Sequence, residues 1–473
     1  MNKDKIVETI GDMDPEFVKE ARPKSRSRLA LRIGAVAAAV LMLVGVCFAI
    51  PKFLNNPGMQ EPQKPSVSND PTMRPVQLKE GWLAAAPGEL TFVSYTDPVS
   101  EAWVKALGER KAAGGDIAPM DGFMRDLTLE LMKEGGNVVW SPSSVYLSLA
   151  MLAESADGST REEILSALGA ADMASLRKSA AAILAAENYD DGNVKSLFAN
   201  SLWFNKDKLV NADTVDRLAE LYRASTYWGD PNDPGYEEAM RDWLKENTGG
   251  LLDDSADKLE MDPRMLLEIC SAVCFKGGWG VGFDARYTRE KAFRGAHGDK
   301  TAEFMYKQNP SGKHFAGAGF KAAVDSIGES GNSIIYLLPD EGVSIEEMLR
   351  NVDVGGILAN AEEGGVNLSV PKFDISCDSD LIPALKGIGL SECFDDNGAN
   401  FTQLTDDAGV YVTKVDHSAR VMIDEEGIAA AAFTRIEMGY NGGMEMTLDR
   451  PFVFIVTGVS GAPLFIGVVN DIG

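Results

Sequence analysis

The sequence predicts an α+β fold, with helices and strands interspersed along one folded region. In residues 121–133 apolar side chains recur at helical spacing, whereas residues 265–284 form an apolar run that predicts a strand. Segments of both kinds follow one another without a strict strand–helix–strand repeat, which is typical of the α+β class. The 473 residues, of which 45% are hydrophobic and 25% charged, have a globular composition and can bury a large core. Length alone also allows two or three smaller domains.

The amino-terminal part of the chain predicts a membrane anchor. Residues 33–50 carry no charge and, at about 1.5 Å per residue, are long enough to cross a bilayer as a helix. Basic residues precede this run, and only Lys52 follows it closely, so we expect residues 1–32 in the cytoplasm and the remainder outside the cell. A cleaved signal peptide, giving a secreted protein, is the alternative. The proline-rich residues 51–90 predict an extended stalk before a folded domain at 91–473.

Charge and cysteine usage exclude several classes of function. The net charge is −26 with no concentrated basic face, which argues against nucleic acid or another polyanion as a partner. Neither a metal site nor a cofactor is predicted, because the three histidines are scattered and no close Cys-x-x-Cys pair occurs. Cys270 and Cys274 lie about 13 Å apart if they share a strand, too far for a disulfide. We expect the cysteines to be small core residues.

The folded region begins with a helix, a short strand and two more helices. Residues 121–133 predict a helix that ends at Gly135. A short strand stops at Pro142, a second helix follows, and Ser159 or Thr160 is the predicted N-cap of a third. Further along, the apolar residues 265–284 predict a long strand interrupted near Gly277.

Residues 427–439 alternate in a way that suits two environments. One face carries Ile428, Ala430, Ala432, Thr434, Ile436 and Met438; the other carries Ala429, Ala431, Phe433, Arg435 and Glu437. A period of two with one apolar face predicts a half-buried strand. The flanks are acidic before the run and rich in glycine after it, which is typical of an exposed loop. An ordinary hairpin strand is the alternative.

The acidic segment from Asp424 to Gly427, followed by an alanine run and later by Pro451-Phe452, resembles the hinge and reactive-centre loop of the serpin family of protease inhibitors. Segments 141–144, 196–205, 247–252, 304–305, 366–375, 384–394 and 454–469 resemble other serpin elements in the same order. The resemblance covers residues 121–473. It implies the serpin fold, with about nine helices, three β-sheets and an exposed reactive-centre loop.

The resemblance also implies two groups of functional residues. The hinge comprises Glu425, Glu426, Gly427, Ile428, Ala429, Ala430, Ala431 and Ala432. A cluster that controls opening of the main sheet comprises Ser141, Ser144, Ser271 and His417, with Trp279 at the top of the sheet. Ser271 stands where the family usually has asparagine. Because a hydroxyl offers fewer hydrogen-bonding sites than a carboxamide, we expect either that the cluster holds the main sheet closed less firmly, or that Asn200 or a water supplies the missing hydrogen bond. Two hinge positions also depart from the family pattern: Ile428 stands where threonine or serine is common, and Ala429 stands where glutamate is common.

The position of the reactive bond follows from two ways of counting. The family's usual spacing from Gly427 places the bond after Asn441, whereas counting back from Pro451 places it after Tyr440. Tyr440 suits a chymotrypsin-like protease and Met438 an elastase- or subtilisin-like one. Tyr440 is the first choice.

Together with the predicted membrane anchor, the resemblance implies a monomeric, membrane-tethered serpin of bacterial type that inhibits extracellular serine or cysteine proteases as a suicide substrate, and that is not itself an enzyme. A non-inhibitory serpin acting as a binding or chaperone-like surface protein is the alternative. A serine hydrolase is disfavoured: Ser175 and Lys178 form a Ser-x-x-Lys motif, but no G-x-S-x-G or oxyanion motif accompanies it. A purely structural surface domain leaves the hinge pattern unexplained.

Overall fold

The computed structural model of the chain describes residues 101–115, 117, 120–428 and 443–472. The predicted cytoplasmic segment, anchor and stalk lie outside these residues, as do residues 429–442 of the predicted loop. Within the described ranges, no helix combines the length and apolar character that a membrane span requires.

The described part of the chain contains eleven helices and three sheets, which confirms the α+β prediction. Two of these helices, α8 and α9, are only four and five residues long. The helices are α1 Glu101–Gly114, α2 Asp121–Leu131, α3 Pro142–Ser155, α4 Gly158–Ala167, α5 Met173–Ala186, α6 Ala212–Tyr222, α7 Pro234–Thr248, α8 Asp253–Ala256, α9 Ile345–Leu349, α10 Val354–Asn360 and α11 Ile382–Gly387.

Eighteen strands build the sheets. They are β1 Val138–Trp140, β2 Tyr189–Asp190, β3 Val194–Asn205, β4 Ala224–Gly229, β5 Leu267–Gly278, β6 Arg289–Gly295, β7 Gly298–Asn309, β8 Lys313–Gly317, β9 Phe320–Ile327, β10 Asn332–Pro339, β11 Glu362–Glu363, β12 Val366–Pro371, β13 Phe373–Asp380, β14 Asp416–Ile423, β15 Gly427–Ile428, β16 Met444–Thr447, β17 Phe452–Thr457 and β18 Pro463–Val469. The main sheet has the order β13-β14-β15-β5-β3-β2, with β4 also paired to β3. The second sheet runs β1-β18-β17-β10-β9-β8-β11, and the third runs β16-β12-β7-β6.

Helix α3 lies in the core between the main and second sheets, where it contacts β5 and β18. It begins where the sequence predicts: the Ser141 hydroxyl accepts a hydrogen bond from the Ser144 N–H, and Pro142 occupies the first turn. The predicted cap of the next helix is wrong. Asp157 caps α4 instead, because its carboxylate reaches the Gly158 N–H at 3.0 Å.

Strand β5 packs against other elements on both faces and is shorter than predicted. Phe275 faces the main core with α3, whereas Ala272 packs on the opposite face with Trp203 and residues of α7. The prediction that the strand extends to residue 284 is wrong. β5 ends at Gly278 because the chain then turns towards β9, where the Gly280 N–H donates to the Ser326 carbonyl at 2.9 Å.

The four described cysteines are free thiols, and no group of described residues could hold a metal ion. Cys274 and Cys393 are buried, and Cys270 and Cys377 are partly buried. Burial is the main cause that raises the pKa of the Cys393 thiol, to about 12. These side chains therefore act as small core residues and not as reactive thiols.

Candidate functional site

Two of the hinge residues, Gly427 and Ile428, form strand β15 of the main sheet. β15 runs antiparallel to both neighbours: Gly427 pairs with Gly278 and Ile428 with Gly277 on β5, while Ile428 also pairs with Ile423 on β14. Among the described residues, β14 and β5 are joined through β15 and not directly. A strand position between β14 and β5 therefore exists. β15 occupies the end of this position that lies beside Gly277 and Gly278 of β5.

Only glycine fits the first position of β15. Gly427 has φ of +149°, which side-chain-bearing residues rarely adopt, and a Cβ there would lie 2.2 Å from the Gly277 carbonyl oxygen. Ile428 follows with its side chain 3% exposed in the main core. The backbone at this point therefore demands glycine, and the next position demands an apolar side chain.

A tight turn at Asp424 leads the chain from β14 into β15. The Asp424 carboxylate accepts hydrogen bonds from the N–H groups of Glu426 at 2.8 Å and Gly427 at 3.2 Å. The Trp279 indole N–H donates to the Asp424 carbonyl at 2.8 Å, and Trp279 is itself buried. The turn is therefore fixed from one side by its own carboxylate and from the other by the ring at the end of β5.

Glu425 anchors the hinge to the third sheet, while Glu426 is exposed. The Glu425 carboxylate accepts a hydrogen bond from the Thr288 hydroxyl at 2.7 Å and pairs with the Lys372 ammonium at 2.9 Å. Burial raises the pKa of Glu425, but these two partners outweigh it, so the pKa lies below its usual value. The carboxylate is consequently ionised at neutral pH. Sequence analysis did not identify Lys372, whose one signal is a single basic residue following the apolar run of β12.

Ser141, Ser144, Ser271 and His417 come together from α3, β5 and β14. His417 Nε2 accepts a hydrogen bond from the Ser141 N–H at 3.0 Å, and the Ser144 hydroxyl donates to the Ser271 carbonyl at 3.1 Å. Burial lowers the pKa of His417 to about 4, so the ring is neutral and Nε2 is free to accept. Trp279 is not part of this cluster, because it lies with Asp424 at the end of β5.

The Ser271 hydroxyl is buried without a hydrogen-bond partner among the described residues. Asn200 stands opposite Ser271 in the pairing of β3 with β5, but its carboxamide N–H donates to the Tyr222 carbonyl at 2.8 Å. Asn200 therefore does not replace the asparagine that the family usually has at position 271. The cluster carries one unsatisfied donor, which costs about 1–3 kcal/mol when buried.

The reactive-bond candidates Met438, Tyr440 and Asn441 lie outside the described residues, as do the hinge alanines 429–432. The chain becomes described again at Gly443, and β16 then runs parallel to β12 in the third sheet. Residues 429–442 thus connect the main sheet to the third sheet.

Ser175 has a structural role that accounts for its hydroxyl. It takes part in a capping box with Asp172: its hydroxyl donates to the Asp172 carbonyl at 2.8 Å and accepts from the Asp172 N–H at 3.1 Å. A hydroxyl engaged at the start of α5 is not poised as a nucleophile.

Comparison with known proteins connects this arrangement to one family. The model of the family described as "Serpin (serine protease inhibitor)" matches residues 120–472. Serpin-ZX of Arabidopsis thaliana is 27% identical over 368 residues, covering 72% of this chain and 93% of that protein. Two solved structures share the fold. The thermophilic serpin tengpin in its native state matches with a TM-score of 0.68 and 24% identity, covering 75% of this chain and 93% of that one. Thyroxine-binding globulin complexed with thyroxine matches with a TM-score of 0.65 and 21% identity, covering 75% of this chain and 98% of that one. The chain therefore belongs to the serpin family.

Proposed function

We propose that this chain inhibits serine or cysteine proteases as a suicide substrate. In this mechanism the protease cuts the loop, and the freed hinge continues β15 between β14 and β5 before the acyl-enzyme can be hydrolysed. The observation that carries the proposal is β15 itself, because it pairs with both strands and fixes a direction and a register for further strand addition. Membership of a family described as protease inhibitors supports it.

Continuing the register of β15 by counting residues gives matched inward positions. Ala430 would come level with Phe275 and Val421, two large buried side chains between which a small residue fits. Thr434 would come level with Ser271 and His417. A threonine hydroxyl at that level supplies a partner of the kind that the Ser271 hydroxyl lacks. Side-chain size and polarity thus both favour this register.

The outward positions carry the charges of the loop. In the same register Arg435 comes level with Asp416, which places opposite charges side by side. Glu437 comes level with Glu268 on β5 and, by the same count, with Lys414 just before β14, so a cation lies beside the two like charges. Burial is the main cause that raises the pKa of Glu268, to about 7, so this carboxyl can take up a proton near neutral pH and relieve the repulsion.

The targets that we propose are extracellular chymotrypsin-, elastase- or subtilisin-like proteases, with the bond after Tyr440 as the first candidate. The loop residues from Met438 to Asn441 include no Arg or Lys that would favour a trypsin-like pocket. We further propose that the inhibitor is monomeric, of bacterial type and held at the membrane by residues 33–50, with its folded domain outside the cell. The uncharged run and the basic residues before it support this placement.

The test exposes the full-length chain to chymotrypsin, elastase and subtilisin. We expect a covalent complex that resists SDS and whose mass identifies the bond that was cut. The matched control is each protease with its catalytic serine already blocked, which should give neither cleavage nor complex. Cleavage of the loop by all three enzymes without any complex would refute the inhibitory function.

A non-inhibitory serpin with a binding role is the alternative. It is supported by the likeness to thyroxine-binding globulin, which at 21% identity shows a shared fold alone. The melting temperature of the cut chain separates the two functions. We expect cleavage to raise it strongly if the hinge inserts, and to leave it unchanged if the chain has only a binding role.

A further inference from the structure

A buried ion pair lies beside the point where the hinge enters the main sheet. Lys307 of β7 and Asp325 of β9 are 2.6 Å apart, with side chains 2% and 0% exposed. These strands belong to the third and second sheets, so the pair joins two sheets next to the end of β5 in the main sheet. Sequence analysis did not identify it, because the two residues come from different sheets.

The Lys307 ammonium is fully engaged in this site. Besides Asp325, it donates to the Val281 carbonyl at 2.7 Å and lies 4.6 Å from the ring centre of Trp279 and 4.3 Å from that of Phe283. Both distances are within the range of a cation–π contact. Burial lowers the pKa of Lys307 and Asp325 opposes that shift. The ammonium therefore contacts the segment that follows β5 in two ways: by a hydrogen bond to Val281 and by cation–π contacts with Trp279 and Phe283.

A contribution to stability alone does not explain why such an ion pair is buried. Removing two charges from water costs several kcal/mol per ion, and apolar replacements of similar size are often as stable or more stable. A buried pair does, however, restrict its neighbours to one arrangement. Here the neighbour is Trp279, whose indole N–H holds the Asp424 carbonyl at the turn before β15.

The strands around Trp279 are tied together at the same place. Ile327, at the end of β9, forms a bridge with Trp279, and the Gly328 N–H donates to the Gly278 carbonyl at 2.8 Å. Gly278 is the residue of β5 that pairs with Gly427 of the hinge. A shift of the Trp279 ring would therefore displace both the Asp424 turn and the end of β5, with which Gly427 pairs.

We propose that Lys307 is a positioning residue for the hinge: its buried ammonium fixes the Trp279 ring, and the ring fixes the Asp424 turn that leads into β15. The placement of the turn stands on the contacts above. The consequence for inhibition rests on the proposed function. The contacts of Lys307 with Trp279 and of Trp279 with Asp424 keep the hinge of the uncut molecule from inserting further into the main sheet, so removing them allows insertion before cleavage.

The first test is hydrogen exchange of residues 424–428 in the full-length chain. The variant is Lys307→Met with Asp325→Asn, which removes both charges together and leaves no unpaired one. We expect the amides of Glu426 and Gly427, which bond to the Asp424 carboxylate, to exchange roughly 2- to 30-fold faster, the range that corresponds to loss of a cation–π contact. The control is Arg177→Gln, which removes a partner of the buried Glu154 remote from Trp279 while Arg217 remains paired to it.

A second variant shows whether Lys307 acts through the ring. Trp279→Phe removes the N–H that holds Asp424, so adding the double substitution to it should cause no further acceleration. The proposal is wrong if the double variant exchanges at the wild-type rate, if Arg177→Gln accelerates the same amides equally, or if the effects of the ring and of the charges simply add. These exchange results hold whether or not the chain inhibits a protease.

Inhibition gives a separate readout. If the wild-type chain forms the covalent complex, the double variant should lose inhibitory capacity on storage several-fold faster than wild type, without cleavage. If the wild-type chain forms no complex, the proposed function fails, while the exchange data still decide the role of Lys307. Equal rates of loss in an active wild type and an active variant would overturn the proposed consequence for insertion.

Discussion

Replacing Gly427 by alanine tests whether docking of the hinge starts the insertion. The added Cβ would lie 2.2 Å from the Gly277 carbonyl oxygen and 2.8 Å from the Gly278 Cα, both of them backbone atoms of β5. The residue would also have to keep φ near +149°, which alanine rarely adopts. We therefore expect Gly427→Ala to move β15 out of its position between β14 and β5.

The size of the effect follows from what β15 contributes. Exposing the Ile428 side chain, now 3% exposed, costs about 1.5–3 kcal/mol, and each lost ladder hydrogen bond costs about 0.5–1.5 kcal/mol. A loss on the order of 3–5 kcal/mol slows the first step of insertion by about 10²- to 10⁴-fold. In the proposed mechanism, hydrolysis of the acyl-enzyme does not require β15, so it should then outrun insertion and release the protease.

The assay is the stoichiometry of inhibition, the moles of chain consumed for each mole of protease trapped. Gly427→Ala should be cut at the wild-type rate but act almost entirely as a substrate. Glu426→Ala is the matched control, because Glu426 is exposed and its backbone N–H remains to bond Asp424. A stoichiometry for Gly427→Ala equal to that of wild type would show that docking of β15 is not the first step.

Three further outcomes are expected. The pKa of His417 is about 4, below its ordinary value, so the contribution of His417 to stability is present above pH 6.5 and is lost as pH falls towards 4; the difference in urea unfolding free energy between wild type and His417→Gln should fall by at most about 3 kcal/mol between pH 7.5 and 4. The pKa of Glu268 is raised to about 7, so the contribution of Glu268 to stability should decline as pH rises from 4.5 through 7, opposite in sign to that of His417; Glu268→Gln should be more stable than wild type at pH 8, by less than about 3 kcal/mol because the side chain is partly exposed. Tyr440→Arg should transfer inhibition from chymotrypsin to trypsin, and a variant that still prefers chymotrypsin would exclude Tyr440 as the residue before the cut bond.

Local patterns in the sequence were sufficient for the parts of the fold that depend on local physics. The apolar spacing of residues 121–133 predicts α2, and the Ser141-Pro142 pair predicts the start of α3, because caps and periodicity act within one or two turns. The ends of other elements could not be predicted in this way. Asp157 and Ser159 are both good caps, and only the folded chain decides that α4 begins after Asp157.

Contacts between distant segments account for what sequence analysis missed at the site. Glu425 was recognised as part of the hinge, but its partners Thr288 and Lys372 come from other parts of the chain. Lys307 lies within β7, where an isolated lysine would ordinarily point to solvent, and its burial follows only from Asp325 in another sheet. The Ser271 hydroxyl and the Asn200 Oδ1 on the neighbouring strand are both buried without a hydrogen-bond partner among the described residues, which only the folded chain shows.

Register decides whether the loop can enter the main sheet at all. If the proposed insertion continues the register of β15, Thr434 would face the core and Arg435 would face outward. Deleting Ala430 alone would reverse every later side chain and turn Arg435 into the core beside His417, where an unpaired charge is costly. Deleting Ala430 and Ala431 together would restore the outward direction of Arg435 in a shorter loop. We therefore expect the single deletion to abolish formation of the covalent complex and the double deletion to recover part of it; equal inhibition by both variants would show that the register seen in β15 is not the one used after cleavage.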